Sequence, residues 1–266
     1  MPLAVCATPI GNLEDVTLRV LAELRDADVV LAEDTRHTRT LLERHDIRAR
    51  LLSYHEHNEA TRTAELLPRL AAGERVALVS DAGLPGISDP GVRLIRAARD
   101  AGVEVTVLPG PSAVETALVA SGLGAERYAF VGFLPRKAGE LATLWQELAA
   151  WPWPVVAFES PQRLPASLRS LASFDPERTV AVCRELTKRF EEVGVGPARE
   201  LAERFAEPPK GEITLVVDAG SARSDDGAAR AAVQELVEAG TPRRVAADVV
   251  ARLTDTSKND LYRSTL

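Results

Sequence analysis

Val79-Ser80-Asp81-Ala82-Gly83-Leu84-Pro85-Gly86-Ile87-Ser88-Asp89-Pro90-Gly91 places three glycines and two prolines between an apolar run and a helical pattern. Residues 76–79 read as a buried strand, and Val92 to Ala101 repeats its apolar residues at helical spacing. Asp89 is expected to cap that helix, with Pro90 at its first position. A plain connector needs none of this. The glycines let bare backbone approach a ligand, with the Asp81 carboxylate beside it. Turn aspartates also tie their own loops through backbone N–H groups, and that alternative stays open for Asp81.

The same arrangement recurs four more times in the first half. Leu3 to Ala7 precedes Thr8-Pro9-Ile10-Gly11-Asn12-Leu13, and Asp28 to Ala32 precedes Glu33-Asp34-Thr35-Arg36-His37-Thr38. Leu51 and Leu52 precede Ser53-Tyr54-His55-Glu56-His57-Asn58, and Glu104 to Leu108 precedes Pro109-Gly110-Pro111-Ser112-Ala113. Strands alternating with helices predict a parallel sheet, and right-handed crossovers bring every strand-to-helix loop to its carboxyl edge. Open α/β sheets bind ligands there, so five loops are expected to meet at one crevice. Ser112 with Glu115 has the pattern of a capping box, whose helix would point its N-terminus at the crevice.

After Gly122 the pattern changes. Tyr128 to Phe133, Pro154 to Glu159, Thr179 to Arg184 and Ile213 to Val217 read as strands, with a further one expected within Arg189 to Val195. Helical patterns run from Ala138 to Ala150, Pro161 to Ala172 and Pro197 to Ala206. The expected organisation is α/β throughout: a parallel-sheet domain over 1–118, a mixed-sheet domain over 119–220, a polar linker from Gly220 to Gly227, and a small helical module over 226–266.

Composition narrows the class. The chain has 266 residues, 45% hydrophobic and 27% charged, enough to bury a full core and form two domains. The most apolar stretch, 141–158, is broken by Gln146, Glu147 and two prolines, so no membrane partner is expected. Met1-Pro2-Leu3 runs into the first strand without room for a signal peptide, and the expected location is the cytoplasm. Cys6 and Cys183 lie in apolar runs and are expected as buried free thiols. A net charge of −7 argues against a generally basic nucleic-acid binder, while leaving room for a local basic patch.

Two familiar ligand signatures are absent. The first loop carries one glycine, not the Gly-x-Gly-x-x-Gly of dinucleotide and common Rossmann-type methyltransferase sites, and no Gly-Lys-Ser or Gly-Lys-Thr exists for a P-loop. His55-Glu56-His57 puts two imidazoles on one side of an extended segment, where Asp34 or Asp81 would complete a ligand set. Spacing alone supports this weakly, and no metal is expected.

Seven ordered segments carry a family resemblance. Ala7-Thr8-Pro9-Ile10-Gly11-Asn12-Leu13, Ala32-Glu33-Asp34-Thr35-Arg36-His37-Thr38, Ser80-Asp81-Ala82-Gly83, Ile87-Ser88-Asp89-Pro90-Gly91, Leu108-Pro109-Gly110-Pro111-Ser112-Ala113, Gly132-Phe133-Leu134-Pro135-Arg136-Lys137 and Arg184-Glu185-Leu186-Thr187-Lys188 closely resemble small-subunit ribosomal RNA methyltransferases. These belong to the tetrapyrrole-methylase-like superfamily of S-adenosylmethionine (SAM) enzymes. Lys258-Asn259-Asp260-Leu261-Tyr262 also resembles that family's C-terminal module.

The resemblance implies a two-domain fold of tetrapyrrole-methylase type with SAM folded between the domains. It implies cofactor contacts from Pro9, Asp81, Gly83, Ile87, Ser88, Pro109, Ser112, Ala113, Phe158, Lys210, Gly211 and Glu212. The implied reaction is methyl transfer to the ribose 2′-hydroxyl of a cytidine in 16S (small-subunit) ribosomal RNA. The implied partners are that RNA or the assembled 30S subunit, and a second copy of the chain in a homodimer. Two departures stand out. Leu84 replaces a residue that is usually small or polar, and the tail from Asp226 balances six basic residues against six acidic ones.

A ribose hydroxyl is a poor nucleophile until a base takes its proton, and Glu33, Asp34, His55 and Glu159 are the crevice groups able to accept one. Sequence does not rank them. Arg36, Arg136, Lys137, Arg184 and Lys188 border the crevice and suit phosphate contacts, whereas Arg39 and Arg163 read as solvated charges. Two other classes share these features: a methylase of the same fold acting on a tetrapyrrole or another small molecule, and a non-catalytic RNA-binding or SAM-sensing protein.

Overall fold

Alternating apolar residues along the first-half strands decide which helices cover which face. The computed structural model describes residues 2–124, 126–220, 226–254 and 257–264. In it β1 (Leu3–Cys6), β2 (Val29–Ala32), β3 (Leu51–Ser53), β4 (Val76–Leu78) and β5 (Val105–Leu108) form one parallel sheet in the order β3-β2-β4-β1-β5. Leu3 is in register with both Val76 and Val105. Ala4, Cys6, Val30, Ala32 and Ala77 face α1 (Leu18–Asp26) and α2 (Thr35–Arg44), packing on Val20, Leu24, Leu41 and Leu42. Leu3, Val29, Leu31, Val76 and Leu78 face the other way, onto Leu66 and Leu70 of α3 (Glu59–Ala71) and Leu94 of α4 (Val92–Asp100). Each fully buried leucine contributes about 1.5–3 kcal/mol over its exposed state.

The second sheet is mixed. It contains β6 (Ala129–Phe133), β7 (Val155–Glu159), β8 (Thr179–Arg184), β9 (Glu192–Pro197) and β10 (Ile213–Val217), in the order β6-β7-β10-β8-β9. β6 runs parallel to β7, and the remaining pairs are antiparallel. One face packs on α6 (Ala138–Glu147), α7 (Leu164–Phe174) and α8 (Ala198–Arg204). The other face, through Val156, Ala181, Cys183 and Val216, takes Val114, Ala117 and Leu118 of α5 (Ala113–Ala120). The division expected between residues 118 and 119 therefore falls inside a helix packed on the second sheet. The strand expected within Arg189 to Val195 starts at Glu192 and extends to Pro197, because the chain turns through Glu185 and Thr187, both at positive φ. Proline is tolerated there since β9 is an edge strand.

The tail folds as α9 (Asp226–Glu238), α10 (Arg243–Thr254) and α11 (Lys258–Ser264) around Val233, Ala246, Val250 and Leu261. Of the expected linker and module, residues 221–225, 255–256 and 265–266 lie outside the described residues, and α9 already includes Gly227. No helix among the described residues is long and apolar enough to cross a membrane. Cys6 and Cys183 are buried free thiols, each pushed up to about 12 by burial and therefore inert.

The expected cap on α4 is wrong. The helix begins at Val92, its cap is Gly91 with no side-chain hydrogen bond, and neither Asp89 nor Pro90 takes its assigned place. Gly91 adopts φ 141°, a conformation open to glycine, and a Cβ there would stand 3.0 Å from Leu78 Cδ2. Gly91→Ala should cost on the order of 1–3 kcal/mol and lower the urea midpoint. An unchanged midpoint would contradict this account.

Candidate functional site

β1 and β4 are neighbours, yet the chain leaves β1 for α1 on one face of the sheet and leaves β4 for α4 on the other. Such a switch in direction opens a crevice at the carboxyl ends of the two strands. The loops flanking it are laced together. Thr8 and Gly83 exchange backbone hydrogen bonds of 2.8 and 3.1 Å, and the Thr8 hydroxyl donates to the Ser80 carbonyl at 3.0 Å. A cavity of about 170 Å³ lies here. Its walls come from Thr8 to Gly11, Ser80 to Ala82, Thr38 and Leu41 of α2, and Lys188 and Glu212 of the second domain.

A second, more open cavity of about 370 Å³ lies alongside, lined by Glu33, Glu56, Glu59, Ser88, Asp89 and Arg93 among others. Glu33 and Asp89 each stand close enough to neighbouring carboxylates for their proton affinity to rise. Glu33 is raised first by desolvation and then by Asp81, with His55 opposing. Asp89 is pushed up to about 7 by burial, then by Glu33, with Asp81 adding and a Ser80 hydrogen bond opposing. Asp81 does not tie its own loop. Its Oδ1 accepts the Asp34 N–H at 3.0 Å, joining the β4 loop to the β2 loop.

Of the four candidate bases, two are committed elsewhere. Asp34 caps α2 by accepting the Arg36 N–H at 2.8 Å, and both its oxygens take the Arg36 guanidinium, with Nη2 at 2.6 Å. That pairing holds its carboxyl far below the usual range. Glu159 is buried and accepts from Ser160 N–H, the Ser167 hydroxyl and Arg163, so Arg163 is paired and Glu159 anchors the start of α7. Glu33 keeps its carboxylate at the second cavity. His55 has a buried Nδ1 without a partner and an Nε2 3.2 Å from Asn58 Nδ2. Its ring meets His57 edge-on at 5.8 Å, and among the described residues no three His, Cys, Asp or Glu side chains form a metal-ligand group.

The cofactor candidates divide. Pro9, Asp81 and Glu212 line the smaller cavity, and Ser88 lines the larger one. Gly83 pairs with Thr8, Ile87 is exposed, and Ala113 and Phe158 sit in the seam between the domains, with Phe158 flanked by Phe130 and Phe133 at 4.9 and 5.5 Å. Pro109 and Lys210 are exposed, and the Lys210 carbonyl accepts from Arg184. Gly211 lies against Glu185. Ser112 starts α5 but donates to the Glu115 carboxylate instead of capping the backbone.

Four of the five expected phosphate contacts are already paired. Arg36 holds Asp34, Lys137 holds Glu140, Arg184 holds Glu192 at 2.8 Å, and Lys188 bridges Glu185 and Glu212 at 2.9 Å each. Arg136 is exposed and has no ion pair among the described residues. Lys188 also lines the smaller cavity. Thr8, whose hydroxyl closes the cavity wall, went unassigned because no local pattern distinguishes it from a turn threonine.

The family model described as Tetrapyrrole (Corrin/Porphyrin) Methylases matches residues 2–202, and the chain belongs to that family. Among its relatives are the ribosomal RNA small subunit methyltransferase I of Mesorhizobium japonicum, 45% identical over 99% of this chain and 91% of the relative, and that of Escherichia coli O157:H7, 41% identical over 99% and 94%. In fold it is similar to the uroporphyrin-III C-methyltransferase of Thermus thermophilus crystallised with S-adenyl homocysteine. The TM-score is 0.57 at 19% identity, covering 80% of this chain and 96% of that one.

The raised Asp89 gives a pH dependence of defined sign. Below about pH 4, an ordinary Asp being near 3.9, the carboxyl is protonated both folded and unfolded. As pH rises towards 7 the unfolded chain releases this proton first, so stability falls, and it levels off above the folded value of about 7. Wild type should therefore lose more melting temperature between pH 5 and 8 than Asp89→Asn does. Equal losses in the two proteins would remove Asp89 from the account.

Proposed function

We propose that the chain transfers a methyl group from SAM to the ribose 2′-hydroxyl of a cytidine in small-subunit ribosomal RNA. The observation that carries this reading is the switch-point cavity built by loops of both domains, in a chain whose near full-length relatives bear the ribosomal RNA methyltransferase name. The residues present fit the cofactor. Asp81 and Glu212 offer carboxylates to its cationic groups, and Pro9, Ile10, Leu13, Leu41 and Ala82 offer apolar surface to an adenine ring. SAM, when bound, supplies an electrophilic methyl carbon, which leaves orientation, water exclusion and removal of one proton to the protein.

Glu33 is the base this reading favours. Its carboxylate is partly desolvated and raised in proton affinity, and it borders the larger cavity, where an entering hydroxyl meets it. His55 stands behind it as the second choice. Arg136, with Arg36 and Lys137 at the rim, would hold flanking phosphates. The RNA is taken as free strand or within the assembled 30S subunit, and the working unit is a cytoplasmic homodimer. Exposed Val107 on the β5 edge and Val119 on α5 supply apolar surface for such an interface.

Transfer of labelled methyl groups to small subunits, free RNA and a tetrapyrrole, followed by nucleoside digestion, tests the proposal. The expected product is 2′-O-methylcytidine, and label in the tetrapyrrole or on a base overturns it. Asp81→Ala should weaken SAM binding by roughly tenfold in calorimetry, about 1.4 kcal/mol, with little change in melting temperature. Unaltered binding would move Asp81 out of the cofactor site. Glu33→Gln should leave SAM binding intact and lower kcat on small subunits by about 10²–10⁴-fold. A kcat within threefold of wild type would transfer the role to His55.

A further inference from the structure

The turn between β8 and β9 holds a strained loop against both domains. Glu185 and Thr187 adopt φ of 53° and 63°, conformations that cost a non-glycine residue on the order of 1 kcal/mol or more and persist only where neighbours enforce them. The neighbours are specific. Thr187 Oγ1 accepts the Asn12 N–H at 2.9 Å, from the loop after β1. Glu185 Oε1 accepts the Glu212 N–H at 3.0 Å and the Lys188 ammonium at 2.9 Å. Gly11 leaves space that a side chain would fill, since a Cβ there would stand 2.5 Å from Lys188 Cγ and 2.7 Å from the Leu186 carbonyl.

Lys188 ties these parts together. Its ammonium donates to Glu185 and, at 2.9 Å, to Glu212 Oε2, and its side chain is 28% exposed. Desolvation works against its charge, but the two carboxylate bonds outweigh it and raise its proton affinity. Both Lys188 and Glu212 line the smaller cavity. The Glu212 side chain is 69% exposed, and Lys188 is the cation that fixes where its carboxylate lies. With Lys188 gone, Glu185 and Glu212 face each other as like charges, and Glu212 swings away from the cavity wall.

We infer that Lys188 is a positioning residue of the cofactor cavity. It acts by orienting the Glu212 carboxylate and by holding the β8–β9 turn against Gly11, and it is not a phosphate contact. This rests on the reading of the smaller cavity as the SAM site. Two experiments on the full chain separate them: calorimetric titration with SAM, and methylation of small subunits with KM determined for each substrate. Lys188→Met should raise the SAM Kd on the order of tenfold and raise KM for SAM, while KM for subunits stays within twofold. Lys188→Arg, which keeps a cation between the two carboxylates, should recover most of the SAM affinity.

A raised KM for subunits with unchanged SAM Kd would overturn the inference and restore Lys188 to the RNA side. Wild-type SAM affinity in Lys188→Met would overturn it too. Should Lys188→Met fail to fold, Glu212→Gln carries the test: it leaves Lys188 paired with Glu185, and undiminished SAM affinity there would remove the carboxylate that Lys188 is said to orient. Absence of SAM binding to the unaltered chain would instead sink the reading of the cavity itself.

Discussion

Two adjacent parallel strands that send their chains to opposite faces of the sheet part the loops above their carboxyl ends. That constraint, at β1 and β4, makes the crevice, and the remaining architecture decides what reaches it. The Thr8–Gly83 bridge ties the two flanking loops to each other and fixes their positions at the crevice. The second sheet supplies the missing wall through Lys188 and Glu212. Its position is set by α5, which leaves the last strand of the first sheet and buries Val114, Ala117 and Leu118 against the second. The cavity is thus a product of connectivity first and of side chains afterwards.

The layout was largely legible in sequence, since it rests on features that local chemistry forces. Short apolar runs such as Val29–Ala32 are buried on both faces and leave a continuous signal, and the spacing of Val20 and Leu24 marks a helix with one covered face. What local pattern did not carry was partnership across the chain. Asp89 before Pro90 has the look of a cap, but the positive φ of Gly91 moved the helix start to Val92 and left the carboxyl beside Glu33. Lys188 and Arg184 each have one near acceptor, Glu185 and Glu192, but their second acceptors, Glu212 and the Lys210 carbonyl, lie more than twenty residues along the chain. Glu159 looked like a base since nothing nearby announces that Ser167 and Arg163 turn back to it. Sequence patterns report on backbone and burial, whereas charge pairing is a property of the folded surface.

That pairing bears on how an acidic chain would meet RNA. With a net charge of −7 and most cations at the rim already holding carboxylates, general attraction to a phosphate backbone is weak. At Arg36 and Lys137, unlike at Arg136, a phosphate would have to displace Asp34 or Glu140, an exchange whose net gain is small at an exposed site.

The crossing of α5 from one sheet to the other also bears on how the chain comes together in time. A nascent chain that has completed β5 holds every strand of the first sheet, yet the cover over the apolar side of α5 is not complete until β10, near residue 217, has emerged between β7 and β8. During synthesis the apolar side of α5 is therefore only partly covered for about a hundred residues of translation. The central strand of the second sheet is the last to arrive, so assembly of that sheet and burial of the waiting helix are completed by the same event.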